Sequence, residues 1–398
     1  MAKWFIEGGR PPDEPYGLLS LPQIRPRRAA LELTVLAAFC EVWLAREGHD
    51  GLVGINLLTK IQLPTLPTLY GAILAGVDCV LMGAGIPREI PAALDGLARH
   101  APVSLRLDLA GDAGKEPPQL TFDPGALWDV LPAERPRPQF LPIVSSTLLA
   151  TVMARKASRP IDGLIIEGPR AGGHNAPPRG EPTFNADGEP IYGERDEVDL
   201  DKVARLGLPF WLAGGAGHPE ALSAARAAGA AGIQVGTLFA FCDESGIDDA
   251  LKRAVLSGVR EGTVQVRTDP RASPTGYPFK VVELADPPSA PSTRTRLCDL
   301  GYLRVAYRRP DGRIGFRCPG EPEDLYVAKG GDREDTVGRQ CLCNALLAVI
   351  GHGQVRPGGT LEAPIVTAGD DLTALETFLA GRERYTAGDV LDWLLPAT

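Results

Sequence analysis

An α/β fold built on a parallel sheet is what this sequence predicts, and three observations carry the prediction. Between Gly51 and Gly236, short apolar runs of strand character alternate with Ala- and Leu-rich runs of helical period. Three of the later strand-like runs close on turns of small residues, at Gly168, Gly214 and Gly236. The length of 398 residues, with 44% hydrophobic and 23% charged residues, suits one large α/β domain plus an appendage.

Residues 1–26 mix prolines and paired glycines with polar residues and read as an irregular lead-in. Arg27 to Gly48 carries Leu33, Leu36, Phe39, Cys40 and Trp43 at helical spacing, with Gly48 as the expected C-cap. Strands are expected at Gly51–Leu58, Cys79–Gly83, Phe140–Val144, Gly163–Glu167, Phe210–Ala213 and Gly232–Gly236. Helices are expected at Thr65–Ala75, Arg88–Arg99, Ser146–Lys156, Leu200–Leu206 and Pro219–Ala228. Val103–Asp108 also reads as a strand, but it leads into the Pro/Gly-rich stretch Asp112–Pro138 and is set aside with it as an excursion from the repeat. The loop from Gly168 to Asp199 exceeds about thirty residues, a length that in compact domains marks function. Past residue 262 the alternation stops, and short amphipathic helices are expected at Asp370–Gly381 and Ala387–Leu395. The expected organisation is therefore 1–50 as extension and helix, 51–262 as the α/β region, and 263–398 as a cysteine-containing subdomain.

A net charge of −9 with no long Lys/Arg run argues against nucleic acid as a partner. The longest apolar stretch, Leu31–Ala45, is broken by Glu32 and Glu41 and is too short to span a bilayer. The opening residues show no apolar signal region, so a cytoplasmic protein acting on a small molecule is the expectation.

Chemistry concentrates in three turns. Gly163-Leu-Ile-Ile-Glu-Gly-Pro-Arg-Ala-Gly-Gly-His-Asn175 reads as a buried strand delivering His174 from a glycine-paired turn, where bare backbone can approach a flat ligand. Leu212-Ala-Gly-Gly-Ala-Gly-His-Pro-Glu220 is a strand ending in a glycine-rich turn that opens a helix, a setting that offers N–H groups to a phosphate. One unit later, Gln234-Val-Gly-Thr237 repeats the arrangement, and two such turns in succession form the usual phosphate grip of a (β/α)8 barrel. His218 is read as a helix-cap residue.

Taken together, Glu167–His174, Ala213–Gly217 and Gln234–Thr237 resemble the nitronate monooxygenase family, whose members carry Glu-Ala-Gly-Gly-His, Ala-Gly-Gly-Ile and Gly-Thr turns on an FMN-binding TIM barrel. Here the first turn keeps Ala-Gly-Gly-His but has Arg170 where the family has glutamate. Val53-Gly-Ile-Asn56 looks like the family's Gly-Val-Asn strand, and the likeness covers about residues 50–280. The resemblance implies His174 as base or proton partner beside the flavin. It implies FMN contacts from Asn56, Gly172, Gly173, Ala213 and Gln234, with the phosphate at Gly214, Gly215, Gly236 and Thr237. The implied activity is oxidation of a nitro or nitronate compound with oxygen. FabK-type and trans-acting enoyl reductases share this barrel, so an enoyl-thioester reductase using NAD(P)H is the alternative, and a non-catalytic subunit of a split flavoenzyme is the third. The family's first two βα units have no counterpart before Val53, which leaves six expected barrel strands. The expectation is that a second polypeptide, or another copy of this chain, completes the barrel.

Cys298, Cys318, Cys341 and Cys343 lie at spacings of 20, 23 and 2 residues. Four thiolates fit tetrahedral zinc, with an iron–sulfur cluster as the alternative ligand set and buried free thiols as the other reading. Cys40, Cys79 and Cys242 sit in apolar text and are expected in the core.

Overall fold

The computed structural model describes residues 7, 9–11, 14–111, 117–284 and 295–395. Part of the expected lead-in, and residues 112–116 at the start of the expected excursion, lie outside the described residues. The chain forms two compact units: Met1–Ile143 with Thr151–Leu164 and Asp299–Cys318, and Val144–Ala150 with Ile165–Cys298 and Pro319–Thr398. The sequence beyond residue 262 thus contributes to both.

The first unit holds three parallel strands in the order β1 (Gly54–Leu58), β2 (Cys79–Gly83) and β3 (Gln139–Val144). Gly54 faces Cys79 across the first pair, and Cys79 faces Gln139 across the second. The helix Thr65–Leu74 follows β1 and is apolar on every side, so nine of its ten residues are buried. It packs on the helix Arg28–Ala45, where Gly71 lets the two backbones meet: a Cβ there would lie 3.0 Å from the Cβ of Ala38. The longer helix ends at Ala45 with Arg46 as its C-cap, two residues before the expected Gly48. Val103–Arg106 pairs antiparallel with Gln119–Phe122, outside the parallel sheet, as its alternation of exposed and buried residues requires. Leu109–Ala110 adds a parallel edge to the hairpin Val305–Arg308/Ile314–Arg317.

The second unit holds β4 (Leu164–Glu167), β5 (Phe210–Ala213) and β6 (Gly232–Gln234) in that order. Trp211 faces Gly232 in the parallel β5–β6 pair. The helix Glu220–Ala227 follows β5, and Asp249–Glu261 starts at Asp248, whose carboxylate accepts from the N–H groups of Ala250 and Leu251. That helix packs with Leu372–Leu379 and Ala387–Leu394 around Phe241, Val255, Leu256, Leu375, Phe378 and Val390. Side chains of this kind each contribute about 1.5–3 kcal/mol when fully buried. A further antiparallel pair, Gln265–Asp269 with Phe279–Glu283, completes the unit's described strands. Among the described residues no helix is long and apolar enough to cross a membrane.

Candidate functional site

β4 is a buried apolar strand, and its chain turns sharply at Gly168 to deliver His174. The turn does not hang free. Lys280 N–H donates to Gly173 O (2.9 Å), Asn175 N–H donates to Pro278 O (2.9 Å), and His174 bridges Phe279 in antiparallel register. The imidazole meets the Phe279 ring edge-on at 4.8 Å between centroids. Its Nε2 lies 2.7 Å from Ser273 Oγ, which is 2.8 Å from Thr275 Oγ1 and accepts from Thr275 N–H (3.2 Å). Ser273 is fully buried. Burial pushes the His174 pKa down from its ordinary 6.5 to about 4, so the ring is neutral at physiological pH. Among the described residues Nδ1 makes no hydrogen bond and is the nitrogen left for chemistry.

The Gly-Gly turn after β5 packs directly on the turn after β4. Gly214 and Gly215 have φ of +94° and +72°, and their missing side chains leave room for neighbours. A Cβ at Gly214 would lie 2.8 Å from Ala171 N, and one at Gly215 would lie 2.9–3.1 Å from the Arg170 guanidinium. After β6, the space over Gly236 is open to 4 Å. A segment from far along the chain ties these turns together. Thr367 Oγ1 accepts from Gly173 N–H (2.8 Å), Gly369 N–H donates to Thr237 Oγ1 (2.8 Å), and Asp370 N–H donates to Arg170 O (3.0 Å). Gly172 is closed over by the backbone of Ala368 and Gly369. The expected phosphate residues Gly214, Gly215, Gly236 and Thr237 are therefore brought together with Gly172, Gly173 and Ala213, and residues 367–370 join them.

Gln234 Oε1 and Asn175 Oδ1 are among the four buried amide oxygens described in this unit that have no hydrogen-bond partner. An unmet buried acceptor costs about 1–3 kcal/mol, so both suit a ligand rich in N–H or O–H donors. Gln234 was expected to contact FMN; Asn175 was not, because nothing in a lone Asn after His marks it as buried. With the open space at Gly236, these orphaned acceptors fit a flavin nucleotide.

Other groups escaped the sequence reading. Glu167, at the end of β4, lines a cleft with Ser145, Pro177, Arg179, Tyr192 and Asp196, and burial raises its pKa from 4.5 to about 7. Arg179 pins the long loop, donating to Ser145 O (2.6 Å) and Arg195 O (2.6 Å). A cavity of about 290 Å³ lies among Arg170, Asn185, Glu189, Tyr192, Thr268, Lys280 and Asp370. Lys280 is 1% exposed and bonds Thr268 Oγ1 (2.6 Å) and Asp370 (2.5 Å).

Asn56 lies on β1 in the first unit, with an exposed side chain. His218 sits beside the helix it was expected to cap, 3.2 Å from Glu220. The expected zinc centre finds no support. Among the described residues no group of three or more His, Cys, Asp or Glu side chains is disposed to hold a metal ion. Cys318 belongs to the first unit, while Cys298, Cys341 and Cys343 belong to the second. The free thiols of Cys341 and Cys343 are hydrogen-bonded at the start of the helix Leu342–Val349, and that hydrogen bond together with burial pushes the Cys341 thiol up, toward the protonated form that a metal ligand must lose. The iron–sulfur alternative likewise finds no ligand group among the described residues.

Comparison with known proteins gives this geometry a setting. Residues 137–272 match the nitronate monooxygenase family model. An enzyme of Mycobacterium tuberculosis (strain ATCC 25618 / H37Rv), (3aS,4S,5R,7aS)-5-hydroxy-7a-methyl-1-oxo-octahydro-1H-indene-4-carboxyl-CoA dehydrogenase, is 33% identical over 123 residues, 31% of this chain and 31% of that protein. A probable nitronate monooxygenase of Staphylococcus haemolyticus (strain JCSC1435) is 32% identical over 105 residues, 26% of this chain and 28% of that protein. The chain thus spans under a third of the length of either curated relative. Among solved structures, FabK from Thermotoga maritima aligns with a TM-score of 0.49 and 17% identity over 96% of this chain and 92% of that one. The enoyl reductase domain of MlnA from Bacillus amyloliquefaciens aligns with a TM-score of 0.48 and 13% identity over 92% and 84%. The resemblance carried by the glycine turns is borne out where those turns stand: residues 137–272, with His174 and the whole of β4 to β6, carry the nitronate monooxygenase family pattern.

Proposed function

We propose that the protein is an FMN-dependent oxidoreductase of the nitronate monooxygenase type, oxidising a nitro or nitronate compound with oxygen on a TIM-type barrel. The observation that carries this reading is the convergence of three strand-end turns beside a half-buried histidine whose pKa is pushed down. Gly214, Gly215, Gly236 and Thr237 would hold the phosphate, and Gln234 would take a hydrogen bond from the flavin. FMN, when bound, supplies the electron chemistry with the substrate and oxygen.

The chain's own part is proton handling and orientation. When Nε2–H donates to Ser273 Oγ, that hydroxyl can donate onward to Thr275 Oγ1, and Nδ1 is left as an acceptor for the proton on the carbon beside a nitro group. With the opposite tautomer, Nδ1–H donates to the oxygen of an anionic nitronate. Burial among Phe279 and Ser273 keeps the ring in one orientation for either task. In this proposal a second polypeptide, or another copy of the chain, completes the barrel.

A second reading is an oxidoreductase of CoA or acyl carrier protein thioesters, the enoyl-reductase type using NAD(P)H. It is favoured by the M. tuberculosis relative, whose name describes a carboxyl-CoA substrate. Anaerobic mixing separates the two. Bleaching of bound flavin at about 450 nm by a nitronate but not by NAD(P)H supports the first reading, and the reverse overturns it. Protein that binds no flavin overturns both.

A further inference from the structure

Arg170 stands where the resembling family has a glutamate, and it is the residue of the turn that the glycine cradle was shaped around. Its guanidinium lies on Gly215, 2.9–3.1 Å from where a Cβ would be, at a backbone φ of +72° that favours glycine. Its carbonyl accepts from Asp370 N–H, while the neighbouring Gly369 N–H donates to Thr237 Oγ1. Two consecutive N–H groups of the irregular segment 367–370 thus clamp the Arg170 turn to the Thr237 turn. Asp370 does not neutralise the arginine by contact: its carboxylate pairs with Lys280 at 2.5 Å. Glu189 is likewise engaged, accepting from Thr268 N–H (2.6 Å) and Asn185 Nδ2 (3.1 Å). Among the described residues no carboxylate lies within ion-pair distance of the Arg170 guanidinium. The side chain is exposed to solvent at the rim of the cavity that Lys280 and Thr268 line.

An exposed planar cation with no carboxylate at ion-pair distance, resting on a Gly-Gly turn, suits a phosphomonoester, because the guanidinium offers paired donors in a fixed plane. We propose that Arg170 is a direct ligand of the FMN phosphate. The inference rests on the flavin reading above. Residues 367–370 hold the arginine's turn against Thr237 without themselves contacting the phosphate.

The test is equilibrium binding to deflavinated protein, followed by quenching of flavin fluorescence, with FMN, riboflavin and inorganic phosphate as separate probes. Wild-type protein is expected to bind FMN more tightly than riboflavin, with inorganic phosphate competing against FMN. Arg170→Ala should weaken FMN by about ten- to hundredfold and leave riboflavin unchanged, the loss of one charge-assisted contact. Arg170→Lys should recover part of the difference. Equal weakening of FMN and riboflavin in Arg170→Ala would assign the arginine a structural role and overturn the proposal. Unchanged FMN affinity would overturn it as well, with the flavin reading intact. Failure of the wild-type protein to bind either flavin would overturn the reading itself.

Discussion

The two units end their strands in opposite ways. In the first, the chain leaves β2 through Gly83-Ala84-Gly85, and that turn is closed by its own neighbour: a Cβ at Gly85 would lie 2.8 Å from the side chain of Thr59, at the end of β1. In the second, the glycine turns leave open space at Gly236, seat a cation on Gly215, and are tied down by residues 367–370. Both follow strand, turn and helix. The difference teaches that the βα repeat builds a scaffold wherever it occurs, whereas a site needs turns whose space is kept clear or charged by segments distant in sequence.

The comparison can be broken most decisively at His174. His174→Ala should lower turnover on a neutral nitroalkane by about 10²–10⁴-fold, the usual contribution of a positioned acid or base, and by less than about tenfold on the preformed nitronate. Oxygen uptake with the two substrate forms measures both, and equal losses would leave His174 as a binding group only.

Next in size is a matched pair of turn substitutions. Gly215→Val forces a β-branched residue to a φ of +72° against Arg170, and should reduce FMN affinity by about a hundredfold or more. Gly85→Ala meets Thr59 at 2.8 Å with a φ of +155°, and should cost about 1–3 kcal/mol in urea melts with little change in FMN affinity. If the two variants lost FMN alike, the contrast between closed and open turns would fail.

The smallest effects are in the pH dependence of stability, where the half-buried Glu167 and His174 act in opposite senses. Glu167 has its folded pKa raised to about 7 from 4.5, so the folded state keeps a proton that the unfolded chain has released. Its contribution is fully present below pH 4.5 and is lost as pH rises to 7. His174 has its folded pKa lowered to about 4 from 6.5, so stability is lost as pH falls from 6.5 to 4. Glu167→Gln should flatten the loss above pH 4.5 by about 1–3 kcal/mol, and His174→Ala should flatten the acid limb. Urea midpoints from pH 4 to 8 test both signs, and an unchanged profile in Glu167→Gln would place that carboxyl in ordinary solvent.

Much of the fold was legible because periodicity reports local burial. β2 and β5 run over the residues their apolar text marks, and Val103–Arg106 lies outside the parallel sheet as the Pro/Gly stretch behind it suggested. The glycine turns were legible because backbone conformation leaves a residue-type trace. The role of residues beyond 262 was not. Ser273, Thr367 and Asp370 carry no local signal, and they reach the His174 turn only because the antiparallel pair Gln265–Asp269/Phe279–Glu283 and the irregular segment 367–370 fold back on it. Spacing misled at the cysteines, since the nearness of Cys341 and Cys343 in sequence produced a thiol pair at a helix start rather than a metal ligand set.

By itself the sequence determined the parallel strands, the helices between them and the glycine turns at their ends, because these depend on side-chain period and on which residues tolerate positive φ. Only the tertiary structure decided that His174 is neutral and bonded to Ser273, that Glu167 titrates near neutrality, and that Arg170 sits on Gly215. Desolvation and ion pairing depend on which surfaces meet, and those meetings join residues tens of positions apart, as Arg170 and Gly215, or about a hundred, as His174 and Ser273, that no local pattern connects.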